Sequence, residues 1–433
     1  MMFKTRKTLT AIAVAIAGTH AVADTQAESK GFIEDSSLSL LARNFYFNRD
    51  FRDVDQDDQS YREEWGQGFM TYFESGFTQG TVGFGFDAHG LLGLKLDSGR
   101  GRSGTGLLPV DSNDRAEDAY SEAGGAIKAR ISSTTLRYGE MQTTAPVFAT
   151  SDSRLLPETA TGILITSEES DGLMVEAGHF TAYNYRNSSN SDDDMLLDVG
   201  EGRLGKVVDF AGGTYNLSEE LTASLYASEF EDTWRQYYTN LNYTIPLSEE
   251  QSLNFDFNLY RTSDTGDSYQ GDIDTTIYSL AAEYSVGAHA FTFAYQENDG
   301  DTSFDYVGGD SVILANAVSY SDFKGANERS YQARYDLDFS SYGVPGLSFA
   351  TRYIMGEKID GTDADPVGGY AGLQGADGEH WERDFDAKYV IQSGSAKDLS
   401  IRLRQATHRS NDAQGEDDID EVRVIIEYPL EIM

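Results

Sequence analysis

The chain has 433 residues, no cysteine and a formal net charge of −39. The lack of cysteine excludes disulfides, thiol catalysis and cysteine-based metal sites, and so large an excess of acid disfavours a nucleic-acid partner. The mean hydropathy of −0.46 argues against a helical membrane protein, whereas 26 Tyr and 23 Phe suit strands that meet a membrane interface.

The first 23 residues have the composition of a secretory signal. Lys4, Arg6 and Lys7 precede an apolar run over residues 8–18, and Ala21-Val22-Ala23 supplies the small side chains that a signal peptidase recognises. The apolar run is too short to span a bilayer as a helix. We therefore predict cleavage after Ala23, which leaves residues 24–433 as a single domain.

Beyond this segment the main signal is an alternation of apolar and polar residues with period two. It is clearest in residues 237–247, 253–260, 331–339 and 422–430. Each of these segments predicts a β-strand with one apolar and one polar face. In a soluble sandwich the apolar faces would meet in a core, whereas in a membrane barrel they would face lipid and the polar faces would line a wet lumen.

The connections between these strands alternate in length. Short turns are predicted at 216–220, 247–251 and 286–288, and long polar loops at 186–206, 261–276, 297–329 and 356–382. Short turns at one end and long loops at the other are typical of an outer-membrane barrel. The length of the chain suits roughly sixteen to twenty strands, so we predict an all-β transmembrane antiparallel barrel.

The alternation also predicts which basic side chains face the lumen. An Arg or Lys on the lipid face at the bilayer midplane costs about 2–4 kcal/mol, so basic residues at positions between lipid-facing apolar residues should point inward. This argument assigns an inward orientation to Lys128 and to eight residues that form a candidate row, namely Arg43, Arg130, Arg334, Arg352, Lys388, Arg402, Arg404 and Arg423. The alternative is that these charges only pair with lumen acids, such as Asp336, Asp338, Asp384, Asp386 and Glu427.

Several segments resemble the OprD family of substrate-specific porins, also called Occ channels. They are Gly-Phe-Ile-Glu-Asp-Ser-Ser-Leu at 31–38, Arg-Asn-Phe-Tyr-Phe-Asn-Arg-Asp at 43–50, the glycine-rich runs 64–69, 74–85 and 90–101, Thr-Ser-Asp-Ser-Arg-Leu-Leu-Pro at 150–157, and 389–394 with 396–405. The resemblance covers essentially all of residues 24–433. It implies a barrel of about 18 strands in the bacterial outer membrane, in contact with lipid and lipopolysaccharide, as a monomer or weak homotrimer.

The same resemblance implies a function. Members of the family take up small solutes that bear a carboxylate, from basic amino acids to aromatic acids, along a row of basic side chains. Loop 143–162, with Ser151, Asp152, Ser153 and Arg154, would fold inward as a constriction, the alternative being an ordinary surface loop. Asp310 and Ser311 would line an entrance pocket.

No catalytic motif supports an enzyme. HExxH and GxSxG are absent, and the run Gly99–Gly104 matches a dinucleotide fingerprint by letter but is not followed by a helical pattern. We therefore expect no catalytic residues, no cofactor and no metal site. Three competing hypotheses are a general diffusion porin of low selectivity, an outer-membrane hydrolase, and a secreted soluble β-protein with a binding role.

Overall fold

The computed structural model describes residues 25–433, except residues 53, 55–58 and 310–311. The predicted signal segment 1–23 lies outside the described residues, and its cleavage stays a prediction. No helix in the described part of the chain is both long enough and apolar enough to cross a membrane.

Eighteen long strands of the described chain form one antiparallel sheet, in which each strand pairs with its neighbours along the chain. They are β1 (Ser37–Phe51), β2 (Tyr61–Glu74), β3 (Gly83–Asp97), β4 (Ala119–Ile131), β5 (Thr134–Met141), β8 (Thr159–Ser170), β9 (Leu173–Asn184), β10 (Val208–Asn216), β11 (Leu221–Phe230), β12 (Trp234–Ser248), β13 (Gln251–Asp264), β14 (Asp274–Val286), β15 (His289–Asp299), β16 (Arg329–Asp338), β17 (Leu347–Ile359), β18 (Gly378–Val390), β19 (Ser400–Ser410) and β20 (Ile419–Glu431). A two-stranded hairpin of β6 (Thr144–Ala145) and β7 (Phe148–Ala149) lies in one loop. The 3-10 helices Gln26–Glu28 and Phe339–Tyr342 are the helical segments of the described chain.

The last strand returns to the first and closes the barrel. β20 pairs with β1 in an antiparallel register that sets Arg43 opposite Glu427. Closure gives every strand two hydrogen-bonded neighbours, so no edge is left unpaired in an apolar medium. The predicted all-β antiparallel barrel is confirmed.

The two ends of the barrel differ in their connections, as predicted. One end carries turns as short as two residues, at 132–133, 171–172 and 249–250, whereas the other carries loops such as 98–118, 185–207 and 360–377. Two loops at this long-loop end matter for the site: loop A (142–158) and loop B (300–328). Most of the predicted loops were longer than the observed ones. The strands remain hydrogen-bonded to their neighbours beyond their last outward apolar residues, so the alternation in the sequence ends before the strand does. Thus β17 extends to Ile359 and β8 begins at Thr159, inside the predicted 143–162 loop.

The outward face of the sheet is an apolar band. Ile127 is 66% exposed and Phe293 69% exposed, and Phe84, Leu225 and Leu403 are exposed at equivalent outward positions. So much contiguous apolar surface is unfavourable in water but is expected where a barrel meets lipid hydrocarbon.

The inward face differs from the prediction of a uniformly polar lumen. Tyr238 and Tyr260 lie on the faces predicted to be polar, yet they are buried, and the ring of Tyr260 lies 4.8 Å from that of Phe304 in loop B. Phe148 of loop A belongs to the same apolar cluster, which covers the inner wall of β8–β14. The loops that fold into the barrel turn this side of the lumen into a protein interior, and an aromatic side chain is stable there.

A second apolar cluster lies against β1–β4. Phe45, Phe47 and Met70 point inward and pack with Leu107 from loop 98–118 and Leu155 from loop A. The hydrophobic core therefore lies inside the barrel, and it fixes the loops that shape the passage.

Candidate functional site

Seven of the eight predicted basic side chains form a continuous inward-facing group, called here the basic row. Its members lie on six neighbouring strands: Arg334 on β16, Arg352 on β17, Lys388 on β18, Arg402 and Arg404 on β19, Arg423 on β20 and Arg43 on β1. The strand register brings them together, because it sets Arg334 opposite Arg352 and Arg404 opposite Arg423. Ile401 and Leu403, which alternate with the two β19 arginines, are exposed on the outer face.

Arg130 faces inward but does not belong to the row. It lies near the short-turn end of β4, with β2 and β3 between it and β1. Its guanidinium stacks 4.1 Å above the ring of Phe77 and donates to Gln26 Oε1 at 3.2 Å. The predicted extension of the row to Arg130 is therefore wrong, since alternation gives the face of a side chain but not its place around the barrel.

Lys128, predicted to face inward, is buried and forms an ion pair with Asp87. It points into the barrel on the same strand as Arg130, and it is likewise outside the basic row.

Each arginine of the basic row has a carboxylate partner. The pairs are Arg334 with Asp336, Arg352 with Asp384, Arg402 with Asp386, Arg404 with Asp386, Arg423 with Glu421, and Arg43 with Glu427 and Asp152. Pairing with lumen acids is thus a real property of these residues. Lys388 differs, because it makes no hydrogen bond or ion pair with the described residues.

Positive charge is in local excess around Asp386. Its carboxylate accepts from Arg402 Nε at 2.8 Å and lies 3.4 Å from Arg404 Nε, while the register places Lys388 opposite Arg402. We call Asp386, Lys388, Arg402 and Arg404 the Asp386 patch: two arginines pair with one acid, and Lys388 adds a third, unpaired cation among the described residues. The side chains of Arg402 and Arg404 are 38% and 21% exposed, so both are accessible to solvent.

Arg43 and Arg423 are far less accessible, with side chains 5% and 3% exposed. Arg43 donates to both carboxylate oxygens of Asp152, at 2.7 and 2.9 Å, and to the carbonyl of Arg154 at 2.7 Å. Bidentate geometry of this kind is strong and directional. Arg43 therefore anchors loop A to the barrel wall.

Loop A folds into the lumen, and the predicted constriction residues lie together near its tip. The backbone N–H of Ser151 donates to Glu158 Oε2 at 2.9 Å, and the Ser151 and Ser153 hydroxyls are 2.9 Å apart. Arg154 donates to the carbonyls of Thr105 and Ser153, each at 3.1 Å.

Arg154 has no carboxylate within ion-pair distance among the described residues. Burial lowers the pKa of its guanidinium, and the nearby cations Arg186 and Arg423 lower it further. Loop A thus presents a cation that is held by neutral acceptors.

Loop B also reaches the basic row, at a residue that the sequence did not single out. Ser319 Oγ accepts from Arg404 at 2.9 Å and from Arg352 at 3.3 Å, and its carbonyl accepts from Arg423 at 2.8 Å. The next two backbone N–H groups donate to the buried carboxylate of Glu382, at 3.0 and 2.9 Å. Loop B therefore narrows the passage directly over the row.

The predicted entrance residues Asp310 and Ser311 lie outside the described residues. Just before them, the N–H of Gly309 donates to Glu158 at 3.2 Å, and its carbonyl accepts from Arg186 at 3.3 Å. Loops A and B therefore meet at this point.

Comparisons with known proteins agree with this geometry. A family model described as outer membrane porin, OprD family, matches residues 30–432. The chain is 54% identical to Porin D of Pseudomonas aeruginosa over 98% of each sequence. Its fold matches the crystal structure of Pseudomonas aeruginosa OprD with a TM-score of 0.83 and 53% identity, covering 95% of this chain and 99% of that one.

A more distant relative is known in complex with a small molecule. The crystal structure of Pseudomonas aeruginosa OpdK with vanillate matches with a TM-score of 0.83 and 36% identity, over 93% of this chain and all of that one. The relatives are porins, that is, channels of the bacterial outer membrane. The chain therefore belongs to the OprD family of outer-membrane porins.

Proposed function

We propose that this porin is a passive, selective channel for small solutes that bear a carboxylate, and that the Asp386 patch is its principal guide. The observation that carries the proposal is the local excess of positive charge at accessible side chains, in a chain whose formal net charge is −39. A carboxylate that enters the lumen can take up the guanidinium donors and the lysine that Asp386 leaves unneutralised.

The pairing of the arginines makes this binding weak, as transport requires. A passing carboxylate must compete with Asp336, Asp384 or Asp386 at each step, so no single site holds it tightly. Several weak sites in series allow a solute to enter and to leave again. Vanillate, the molecule named with the related OpdK, carries a carboxylate, which supports this class of solute.

The row divides into two kinds of residue by accessibility. Arg402, Arg404 and Lys388 are placed to meet the solute, whereas Arg43 and Arg423 hold loops A and B in position. We therefore assign Arg43 and Arg423 as positioning residues. A monomeric or weakly trimeric assembly, in contact with lipopolysaccharide, remains our prediction.

Flux measurements in liposomes test the proposal. The purified protein would be reconstituted, and the entry of small hydrophilic carboxylates compared with that of their uncharged primary amides, which have nearly the same size. We expect the acids to enter faster and to saturate with concentration. Equal, unsaturated entry of both members of each pair would instead indicate a general diffusion porin, with the basic row serving structure alone.

A further inference from the structure

Three side chains that play no part in the solute path converge at the long-loop end of the barrel. His380 lies on β18, His408 on β19 and Glu416 on the loop that follows β19. His380 Nδ1 is 2.9 Å from His408 Nε2, and Glu416 Oε2 is 3.5 Å from the former atom and 3.1 Å from the latter. Both imidazoles are fully buried.

The outer nitrogen of each imidazole already has an acceptor. His380 Nε2 lies 2.7 Å from the carboxylate of Glu328, and His408 Nδ1 lies 2.9 Å from the carbonyl of Asp417. Protons on these outer nitrogens leave the inner lone pairs of both rings directed at one point. Such an arrangement, in which a carboxylate or carbonyl orients each histidine from behind, is typical of metal ligands.

Glu416 completes the set. Its Oε1 accepts from the Ser321 hydroxyl at 3.0 Å, while its Oε2 is buried, faces the inner nitrogens of both imidazoles and accepts from no other group of the described residues. A buried carboxylate oxygen without a donor is costly unless a cation neutralises it. We propose that His380, His408 and Glu416 bind one divalent transition-metal ion of the zinc type, and that this ion fastens loop B to the barrel wall.

The distances fit such an ion. Ligands at the usual Zn–N and Zn–O distances in a tetrahedral site are about 3.3 Å apart, and the three distances here span 2.9–3.5 Å. Two imidazoles and one carboxylate favour zinc over calcium or magnesium, which prefer all-oxygen sites. Three protein ligands leave one coordination position for water.

Neighbouring residues leave room for the His380–Glu328 pair. The residue opposite His380 on β17 is Gly356, and a Cβ there would overlap both Glu328 Oε1 and His380 Nε2. The glycine is therefore required by the histidine and its orienting carboxylate.

The site is tied to loop B through residues on that loop. Glu328 orients His380, Ser321 binds Glu416, and the ring of Phe323 lies 4.2 Å from that of His380. Because Ser319, two residues before Ser321, contacts three arginines of the basic row, an ion at this site would also hold the segment that narrows the passage.

A second cluster, His89 with Glu122 and Glu140, is a weaker candidate. Thr159 Oγ1 already lies 2.8 Å from Glu122 Oε1 and 2.6 Å from Glu140 Oε1, and both oxygens are 3.6 Å from His89 Nε2. This cluster has one imidazole, and its carboxylates share a hydroxyl donor, so it serves as an internal comparison.

Zinc titration of the purified barrel tests the proposal. The mature protein, freed of any affinity tag and stripped with a chelator, would be titrated with ZnCl2 in detergent by calorimetry, and cleavage of loop B by protease would be followed with and without zinc. We expect one zinc per chain and slower cleavage of loop B when zinc is bound. His408→Ala should weaken binding at least 100-fold, and Glu416→Gln, which keeps the Ser321 contact, at least tenfold.

The matched control is His179→Ala, which changes a half-exposed histidine on β9 and should bind zinc as the parent does. If His408→Ala does not fold, Glu416→Gln and Glu328→Gln carry the test, the latter with a loss of about 10–100-fold in affinity. The proposal is overturned if the parent protein binds no zinc, or if binding survives in Glu416→Gln but is lost in His89→Ala. Zinc binding without any protection of loop B would refute the fastening role.

Discussion

Replacing Arg402 and Arg404 together with alanine is the sharpest test of the Asp386 patch. A unit charge about 4 Å from a carboxylate contributes about 1 kcal/mol in a water-like medium and about 4 kcal/mol at an effective dielectric constant of 20. The two side chains are only partly exposed, 38% and 21%, so we take the water-like value, which is the lower limit. Losing both charges should then raise the free energy of a carboxylate at the patch by about 2 kcal/mol, or roughly 30-fold in occupancy.

The double variant also leaves Asp386 without its arginine partners, and the bare carboxylate would repel the solute. A triple variant that adds Asp386→Asn separates the two effects, because it removes the acid along with the guanidinium groups. Arg383→Ala is the matched control, since Arg383 lies on β18 but on its outward face.

The assay is liposome entry of a carboxylate and its amide at concentrations well below saturation. We expect the double variant to pass the acid roughly 30-fold more slowly while amide entry stays within about twofold. The triple variant should recover part of the loss, and Arg383→Ala should match the parent. A well-folded double variant whose carboxylate flux stays within about threefold of the parent would refute the guiding role of the patch.

Three further predictions follow from the contacts of the site. Asp386→Asn removes the competing acid. The carboxylate concentration that gives half-maximal flux should then fall about fivefold, which corresponds to about 1 kcal/mol; an unchanged saturation curve would contradict this. Arg43→Ala removes a buried cation whose partners Asp152 and Glu427 are 47% and 28% exposed, so it should cost about 1.5–3 kcal/mol. The melting temperature should fall and single-channel conductance should rise as loop A loosens, whereas an unaltered conductance would show that Arg43 does not hold the constriction. Glu382→Gln places an amide NH2 group opposite the backbone N–H of Tyr320 or Ser321, so one buried donor loses its acceptor at a cost of about 1–3 kcal/mol. Protease should then cut loop B faster, and an equal cleavage rate would exclude Glu382 as the anchor of loop B.

Local pattern was enough to predict the direction in which the row points. Each arginine of the row follows or precedes an outward apolar residue, as Arg402 lies between Ile401 and Leu403, and the two-residue period of a strand then leaves one orientation. The same reasoning could not exclude Arg130, because the position of a strand around the barrel depends on closure, not on its own residues.

The loop contacts could not be predicted, and the reason is physical. Ser319 lies inside a loop without periodicity, and its partner Arg423 is 104 positions away in the chain. Likewise, His380 and His408 are 28 positions apart, a separation that matches no compact ligand motif. Tyr260 is buried because loops A and B cover it and Tyr238 packs against it, and alternation alone gives no information about that cover.

The apolar cluster against β8–β14 lies roughly across the barrel from the basic row. The apolar cluster occupies one arc of the barrel wall, and the basic row occupies the opposite arc, which is six strands wide. Changes of substrate should therefore be sought at the accessible side chains of Lys388, Arg402 and Arg404, because Arg43 and Arg423 in the same arc hold loops A and B. Substitutions that widen the pore on the side of the apolar cluster would instead lower the stability of the barrel before they changed its selectivity.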